Sequence, residues 1–468
     1  MKDARPDKRT SLLSRYRRVE SRFDVAETSD NNRRHWSLVD SASPDSEANA
    51  STRETLRRRS RYEVLNNSYA RGVVDMIAND TIGTGPRLQM HLEDESLNAE
   101  IERDFDRWAK EINLADTLRL MRRERLVNGE TFAIIGTNPM LRSPVKIKID
   151  VVEPDMVCGD TGQMELEELF VDGISFDRYG NPKSYRIHRF TPGSDNDDEY
   201  TVIRAEFVIH EFRRHRAGLH RGIPEITSAL PLFAQLRRYS LATLSAAESA
   251  ADYAAVCYTD SPADGESDTI EPLESVPLER NMMLTLPAGW KLGQLDPKHP
   301  TSNHSEFVKC ILSEIARSVC ATYGTLAGDF SGFNYASGRL DNQVYQKSII
   351  VDRSNWERNV LDRILYAWLR EWALVNSRTI SDDDVEYYDH EWFWDGFMHV
   401  DPTKEAEAQA KRLESGTTTL ADEYARMGFD YEVKLRQRAK ELELMRELGI
   451  LGTEPSKSTD DRRQQDED

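Results

Sequence analysis

The sequence predicts an α+β fold, with helices placed before and after a block of strands. Three observations predict it. Apolar residues recur at helical spacing up to about Val127. Between Val145 and His210 the pattern changes to short runs divided by Gly, Asn-Pro and Pro-Gly turns. Long stretches of helical spacing then return after about Glu225 and after Ser302.

Met1 to about Ser60 is polar. Its basic start ("DKRTSLLSRYRR") and a Ser/Asp/Asn/Ala stretch read as a disordered arm over residues 1–51. Leu65, Tyr69, Val73, Met76 and Ile77 then lie on one helix face. "TIGTGPRLQM" closes that helix and enters a strand. Leu97, Ile101, Phe105, Trp108 and Ile112 mark a second helix, and Asp116 to Val127 a third. "NGE" turns the chain into the strand "TFAIIG". The β block follows as "VKIKIDVVEP", "LEELFVDGISFD", "KSYRIHRF" and "EFVIHEF".

A long helix is expected to run past Pro231 to about Tyr258, where "TDSPADGESDTIEP" breaks it. Short strands are expected between Leu273 and Gln294, and helical spacing resumes with Phe307, Ile311, Ile315 and Val319. Another long helix spans about Arg339 to Asn376, with Trp356, Val360, Ile364, Trp368 and Trp372 on its apolar side. "VEYYDHEWFWDGF" reads as an aromatic strand, and charged helical segments run from Pro402 to Leu448 before a polar tail.

Composition narrows the function classes. The chain has 468 residues and a net charge of −20. Tight nucleic-acid binding needs clustered Lys and Arg, so so acidic a chain is not built to grip DNA, although DNA could slide along it. No apolar run approaches the roughly 20 residues that cross a bilayer, and the N-terminus has no signal-type apolar core. A cytosolic protein with no membrane contact is expected. The four cysteines form no CxxC pair, which argues against a zinc ribbon or a disulfide framework.

Enzyme chemistry finds little support. There is no GxxxxGK[ST] and no GxSxG, and "IGTGPR" offers only a bare GxG after a helix. His210, His215 and His220 are spaced so that they do not share a helix face, and read as a solvated basic loop rather than a metal site. "EPD" (Glu153 to Asp155) and "DDD" (Asp382 to Asp384) lack a matching acidic element for a metal nuclease. No catalytic residue, cofactor or metal is expected. Arg57, Arg58, Arg59 and Arg61 in "RRRSR" either contact phosphate, an acidic neighbour or a neighbouring subunit, or line the solvent face of the first helix; Arg122 to Arg125 are treated the same way.

One connection is unusual. "AGDFSGFNYASGR" (Ala327 to Arg339) sits between two helices with three glycines, two serines, three aromatics and an Asn, but little charge. A phosphate cradle, a catalytic loop and a moving channel loop would each use such residues.

With these segments laid out, four blocks resemble the lambda-like family of phage portal proteins. They are "RSRYEVLNNSYARGVVDMIANDTIGTGPRLQ" (Arg59 to Gln89), "HRAGLHRGIPEITSALPLFAQLRRYSLATLSAA" (His215 to Ala247), Leu286 to Arg339 with its Asp-Phe-Ser-x-x-Asn-Tyr-x-Ser-x-Arg core, and "HVDPTKEAEAQAKRLESGTTTLADEYARMGFD" (His399 to Asp430). The chain departs from the family at "ATYGTLAGD", where Thr325 replaces a common Pro. The resemblance covers roughly Thr52 to Gly449.

It implies a homo-oligomeric ring, usually a dodecamer, at one capsid vertex of a virion assembled in the host cytoplasm. Double-stranded DNA would pass through it. The terminase large subunit, head-completion adaptor proteins, the major capsid protein and scaffold would dock on it. By order along the chain, residues 52–223 would form a wing, 224–258 and 302–324 two stem helices, and 259–301 a clip. Residues 325–338 would form a channel loop, 339–400 a long helix with a wing strand, 401–449 a helical crown and 450–468 a disordered tail. Asp329, Phe330, Ser331, Phe333, Asn334, Tyr335, Ser337 and Arg339 become the DNA-facing candidates; of these, Phe330, Phe333 and Tyr335 are expected to pack on a neighbouring subunit in preference to touching the DNA backbone, and Arg339 to make an intersubunit or phosphate contact. The rival readings are a DNA-processing metal-dependent nuclease and an adaptor that forms no ring.

Overall fold

The computed structural model describes residues 42–159, 169–188, 200–252, 256–259, 290–293, 304–378, 388–397 and 402–450. Of the arm expected over residues 1–51, the part before residue 42 lies outside the described residues, as do the tail after 450, Asp382 to Asp384 and the strands expected between 273 and 289; the arm's end is ordered, with a short helix at Pro44–Glu47 and the start of a longer one at Ala50.

Helix α1 (Ala50–Asn66) starts where the Asn49 side chain accepts from Thr52 N at 2.9 Å. It stops at Asn67, whose backbone is extended and whose side chain caps α2 (Ser68–Ile82) by accepting from Tyr69 N at 3.0 Å. The single helix face read through Leu65 and Tyr69 is therefore two helices, and Leu65 is 80% exposed. Gly83 ends α2, and β1 (Arg87–Met90) follows. Helix α3 (Glu95–Glu111) buries Ile101, Phe105 and Trp108 as its spacing requires. Helix α4 (Leu114–Asn128) ends on Gly129, at φ +90°.

Strand β2 (Glu130–Thr137) is central in a three-stranded antiparallel sheet, between β3 (Ile147–Val152) and β8 (Val208–Phe212). A second sheet runs in the order β4 (Leu169–Val171), β5 (Ile174–Phe176), β6 (Pro182–His188) and β7 (Tyr200–Arg204). β7 escaped the sequence reading because it is an edge strand whose Tyr200 and Val202 are exposed, so it lacks a buried apolar run.

Helix α5 (Leu230–Asp252) begins one residue before Pro231, so the proline lies in the first turn, where its missing N–H is harmless. The expected run to Tyr258 ends early. Val256–Thr259 is instead strand β9, paired antiparallel with β10 (Trp290–Gly293). Helix α6 (His304–Ser318) packs against α5, with the Tyr239 and Phe307 rings 4.4 Å apart. After the short α7 (Tyr323–Ala327) comes α8 (Tyr335–Trp356), a π-helical turn at Glu357–Leu361, and α9 (Asp362–Val375). Strand β11 (His390–Phe393) pairs with β1, Leu88 opposite Trp392. The C-terminal helices are α10 (Pro402–Glu414), α11 (Leu420–Arg426) and α12 (Tyr431–Glu447).

The π turn has a packing reason. Tyr345 and Ile349 of α8 bury against α2, α5 and α6, whereas Ile364, Leu365 and Trp368 of α9 bury against α3, α4 and β3. One helix serves two cores, and the wide turn resets its buried face between them. In the second core the Phe105 and Trp368 rings meet edge to face at 5.2 Å, and Trp108 Nε1 donates to the Ile147 carbonyl at 2.8 Å. Each such buried aromatic contributes roughly 1.5–3 kcal/mol by burial.

Candidate channel loop and the buried ion pairs behind it

The loop between α7 and α8 is held by its own side chains. Thr322 and Thr325 form a capping box at the start of α7, with Thr325 Oγ1 accepting from Thr322 N at 3.0 Å. This is what Thr325 does in place of the family's proline. Gly328 closes α7 at φ +63°. Asp329 Oδ1 then accepts from Ser331 N at 3.0 Å and from its hydroxyl at 2.6 Å, while the Tyr323 hydroxyl donates to Oδ2 at 3.1 Å. The Ser331 hydroxyl, helped by the backbone N–H and Tyr323, holds the Asp329 carboxyl below the usual range. Phe330 is 58% exposed, with its ring 5.9 Å from that of Phe333. It lies over Gly324, where a Cβ would come within 2.9 Å of the ring.

Asn334 is the N-cap of α8. Its side chain accepts from Ser337 N at 2.9 Å, and Ser337 Oγ accepts from Asn334 N at 2.9 Å. The reciprocal cap starts the helix at Tyr335, four residues before the expected Arg339. Tyr335, Ser337 and Arg339 thus belong to the first turns of α8, and the loop proper is Gly328 to Asn334. Its only charge is Asp329. Arg339 is exposed at the mouth of a cleft between α8 and helices α10 and α11.

Of the alternatives left open for the arginine run, contact with an acidic neighbour describes Arg57, Arg58 and Arg61, and the solvent face describes Arg59. Arg57 pairs with Glu130, donates to Asp155 at 2.7 Å and to the Asn128 carbonyl at 3.1 Å, and its side chain is 5% exposed. Arg61 reaches Asp155 at 2.7 Å and Glu153 at 2.8 Å. Arg58 pairs with Glu54 on its own helix, and Arg59 is exposed. Arg57 is therefore closed to phosphate and Arg61 is engaged within the chain, because the neighbouring strand supplies carboxylates that a helix-only reading does not see.

Glu130 is the hub. Its side chain is fully buried and accepts from Arg221 Nε at 3.0 Å and Nη2 at 2.8 Å, from Gly222 N at 3.0 Å, and from His210 Nε2 at 3.0 Å. Arg221, also fully buried, donates to the Val157 carbonyl and to Asp172 Oδ2, each at 3.0 Å. The Gly129 and Gly222 backbones cross so closely that a Cβ on Gly129 would overlap the Ile223 carbonyl carbon. "RRRSR", "NGE" and "RGIP", far apart in sequence, meet at this one carboxylate. A charged residue at the head of an otherwise apolar strand was the available signal.

The histidines are likewise corrected. His210 is a strand residue stacked on Phe132 at 4.2 Å, with a side chain 5% exposed, rather than part of a solvated loop. His220 is within 2.8 Å of Asp45, and His215 remains exposed. Asp155, the acid a nuclease reading would use, is bound by two guanidinium groups. Among the described residues no group of three or more His, Cys, Asp or Glu is arranged to hold a metal ion. Arg122 and Arg125 form a second buried network with Glu211, Glu225 and Asp352, Arg125 reaching Glu225 at 2.7 Å and Glu211 at 3.0 Å.

Acid should loosen the Glu130 hub in two stages. Burial pulls the His210 pKa below its ordinary 6.5, against the opposing Glu130 bond, so the fold holds the ring neutral while the unfolded chain protonates it. Burial alone would raise the Glu130 pKa, but Arg221, His210 and Arg57 hold it well below 4.5. Both groups bind protons more readily when unfolded, so stability falls as pH drops, first below about 6.5 and then below about 4.5. Urea unfolding midpoints across pH check this. His210→Gln is expected to flatten the first part of the slope, to which His215, also lowered by desolvation, still contributes, and to keep the second.

In comparison with known proteins, residues 29–351 match the model described as phage portal protein, lambda family. A "Probable portal protein" of Halomonas phage phiHAP-1 is 24% identical over 444 residues, covering 85% of this chain and 82% of that one. Among solved structures, the neck of an empty gene transfer agent particle aligns at TM-score 0.49 and 14% identity, over 81% of this chain and 93% of the other. A chain from the virion of a native gene transfer agent particle aligns at 0.46 and 13%, over 81% and 93%. The family model spans well over half of the sequence and takes in the Glu130 hub, the loop and most of α8, so the chain belongs to the lambda family of phage portal proteins.

Proposed function

We propose that this portal protein is a passive conduit. Copies close into a ring, a dodecamer in the arrangement the resemblance implies, through heterologous contacts whose rotation closes. The ring sits at one capsid vertex, and double-stranded DNA passes through it during packaging and ejection. The observation that carries this reading is the lambda-family match over residues 29–351.

In this reading the protein is not an enzyme, and ATP chemistry belongs to the terminase large subunit docked at the clip. Head-completion adaptors dock there later, and the wing meets major capsid protein and scaffold. Residues 52–223 serve as wing, 224–258 and 302–324 as stem, 259–301 as clip, and 401–449 as crown. Assembly takes place in the host cytoplasm and the protein ends in the virion.

The loop Gly328 to Asn334 faces the bore. It offers an exposed Phe330, hydroxyl and amide groups, and one anion held ionised. Without a cation in the loop no counterions are released there, so passing phosphate is not retained. The mass of the purified full-length protein tests the reading. A discrete multiple of the protomer mass is expected, and a monodisperse monomer at high concentration would contradict it.

A further inference from the structure

One cleft of about 960 Å³ lies between the end of β8, the end of α6 and the outward face of α8. Arg213, Arg214, Arg317, Lys347 and Arg358 stand around its rim, all exposed. Among the described residues none of the five has a carboxylate at ion-pair distance; Arg358 instead donates to the Ser354 carbonyl and Asn355 Oδ1, at 3.3 and 3.0 Å. Half-buried Arg363, deeper in, donates to the Ala205 carbonyl at 2.6 Å. On the floor, Arg122 and Arg125 are already matched by Glu211, Glu225 and Asp352. The rim cations thus have no carboxylate in direct contact, in a chain whose net charge is −20, although Glu225 and Glu357 lie within electrostatic range of Arg213 and Arg358.

The same helix face carries a second, independent feature. Leu340, Val344 and Val351 on α8 are 64%, 55% and 63% exposed. Their i, i+4, i+11 spacing places them in one stripe with Lys347, and Val344 and Val351 line the cleft itself. A phosphate backbone would neutralise the cations and leave these aliphatics in water. A protein surface bearing both carboxylates and aliphatic side chains would cover both.

Resting on the ring reading above, we propose that this cleft is one half of the protomer–protomer interface, and that an acidic, aliphatic-bearing surface of the next copy fills it. Charge complementarity favours a second copy: a chain this acidic carries the carboxylates that the cleft lacks. A heterologous contact also requires two unlike patches, and a concave basic patch is one of them. The rim charges then steer copies into register, and the α8 aliphatics supply the buried area.

The test uses full-length protein at fixed concentration. Arg317→Glu with Lys347→Glu should lower the fraction of chain in rings by about tenfold or more. The released protomer should keep the unfolding midpoint of the dissociated wild-type protomer, because both side chains are exposed. Arg107→Glu, exposed but on α3, should leave rings unchanged. Hydrogen exchange on the unmodified protein gives a second reading that needs no variant: backbone amides 340–358 should exchange more slowly in the ring than in the dissociated protomer. Wild-type ring yield in the double variant, or equal exchange in both states, overturns the proposal. So does unchanged assembly with weakened binding of a short synthetic DNA duplex, which would assign the cleft to phosphate. A wild-type protein that forms no ring would contradict the conduit reading itself.

Discussion

Replacing Glu130 with Ala is expected to destabilise the protein by about 3–5 kcal/mol, the usual cost of removing one partner from a buried charge cluster. Arg221 would be left fully buried, and the Arg57 side chain 5% exposed, without the carboxylate that both reach. His210 Nε2 and Gly222 N would lose their acceptor too. The damage would spread because Arg57 sits on α1, His210 on β8 and Arg221 in the turn before α5, so one side chain ties three separate segments to β2. Glu130→Gln keeps the shape and one acceptor oxygen, and should cost less. Urea unfolding of the three proteins checks this. A midpoint for Glu130→Ala indistinguishable from wild type would mean that the hub contributes little.

Deleting Asp329 to Phe333 is expected to do the opposite: little to stability and much to DNA passage. The loop's hydrogen bonds run almost wholly between residues 322 and 337, and no described core residue lies among the deleted five. Gly328 and the Asn334–Ser337 cap are kept, so α7 and α8 retain their ends. The unfolding free energy should change by no more than about 0.5 kcal/mol, and rings should form at wild-type yield. Packaged genomes per particle should fall on the order of tenfold, which requires only ~1.4 kcal/mol at the limiting step. Normal packaging by such rings would remove this loop from the bore, while failure to assemble would give it a structural role instead.

Some of this was legible in sequence and some was not. The α3 stripe of Ile101, Phe105 and Trp108 could be read because each buried position repeats at the helical period. The β2 run could be read because it is nearly continuous and apolar, and β3 because its apolar residues alternate with Lys148 and Asp150. The family signature in the loop was legible in its residue types, but the Asn334–Ser337 cap was not read from it, so α8 was expected four residues late. What else escaped depends on distant partners. Asn67 could have sat mid-helix, and only the turn into α2 makes it a cap. Arg57 looks like a phosphate contact until Glu130, 73 residues away, is beside it. The π turn answers to two cores that no local window contains. In the signature blocks, several charged residues hold the fold rather than meet a ligand.

The most direct test of the central claim is an electron cryo-microscopy map of the assembled full-length protein. The expected result is a closed ring of identical subunits around an opening wide enough for duplex DNA, with Asp329 to Phe333 nearest the axis. A map that places this loop on the outer rim, or an assembly with no central opening, would contradict it.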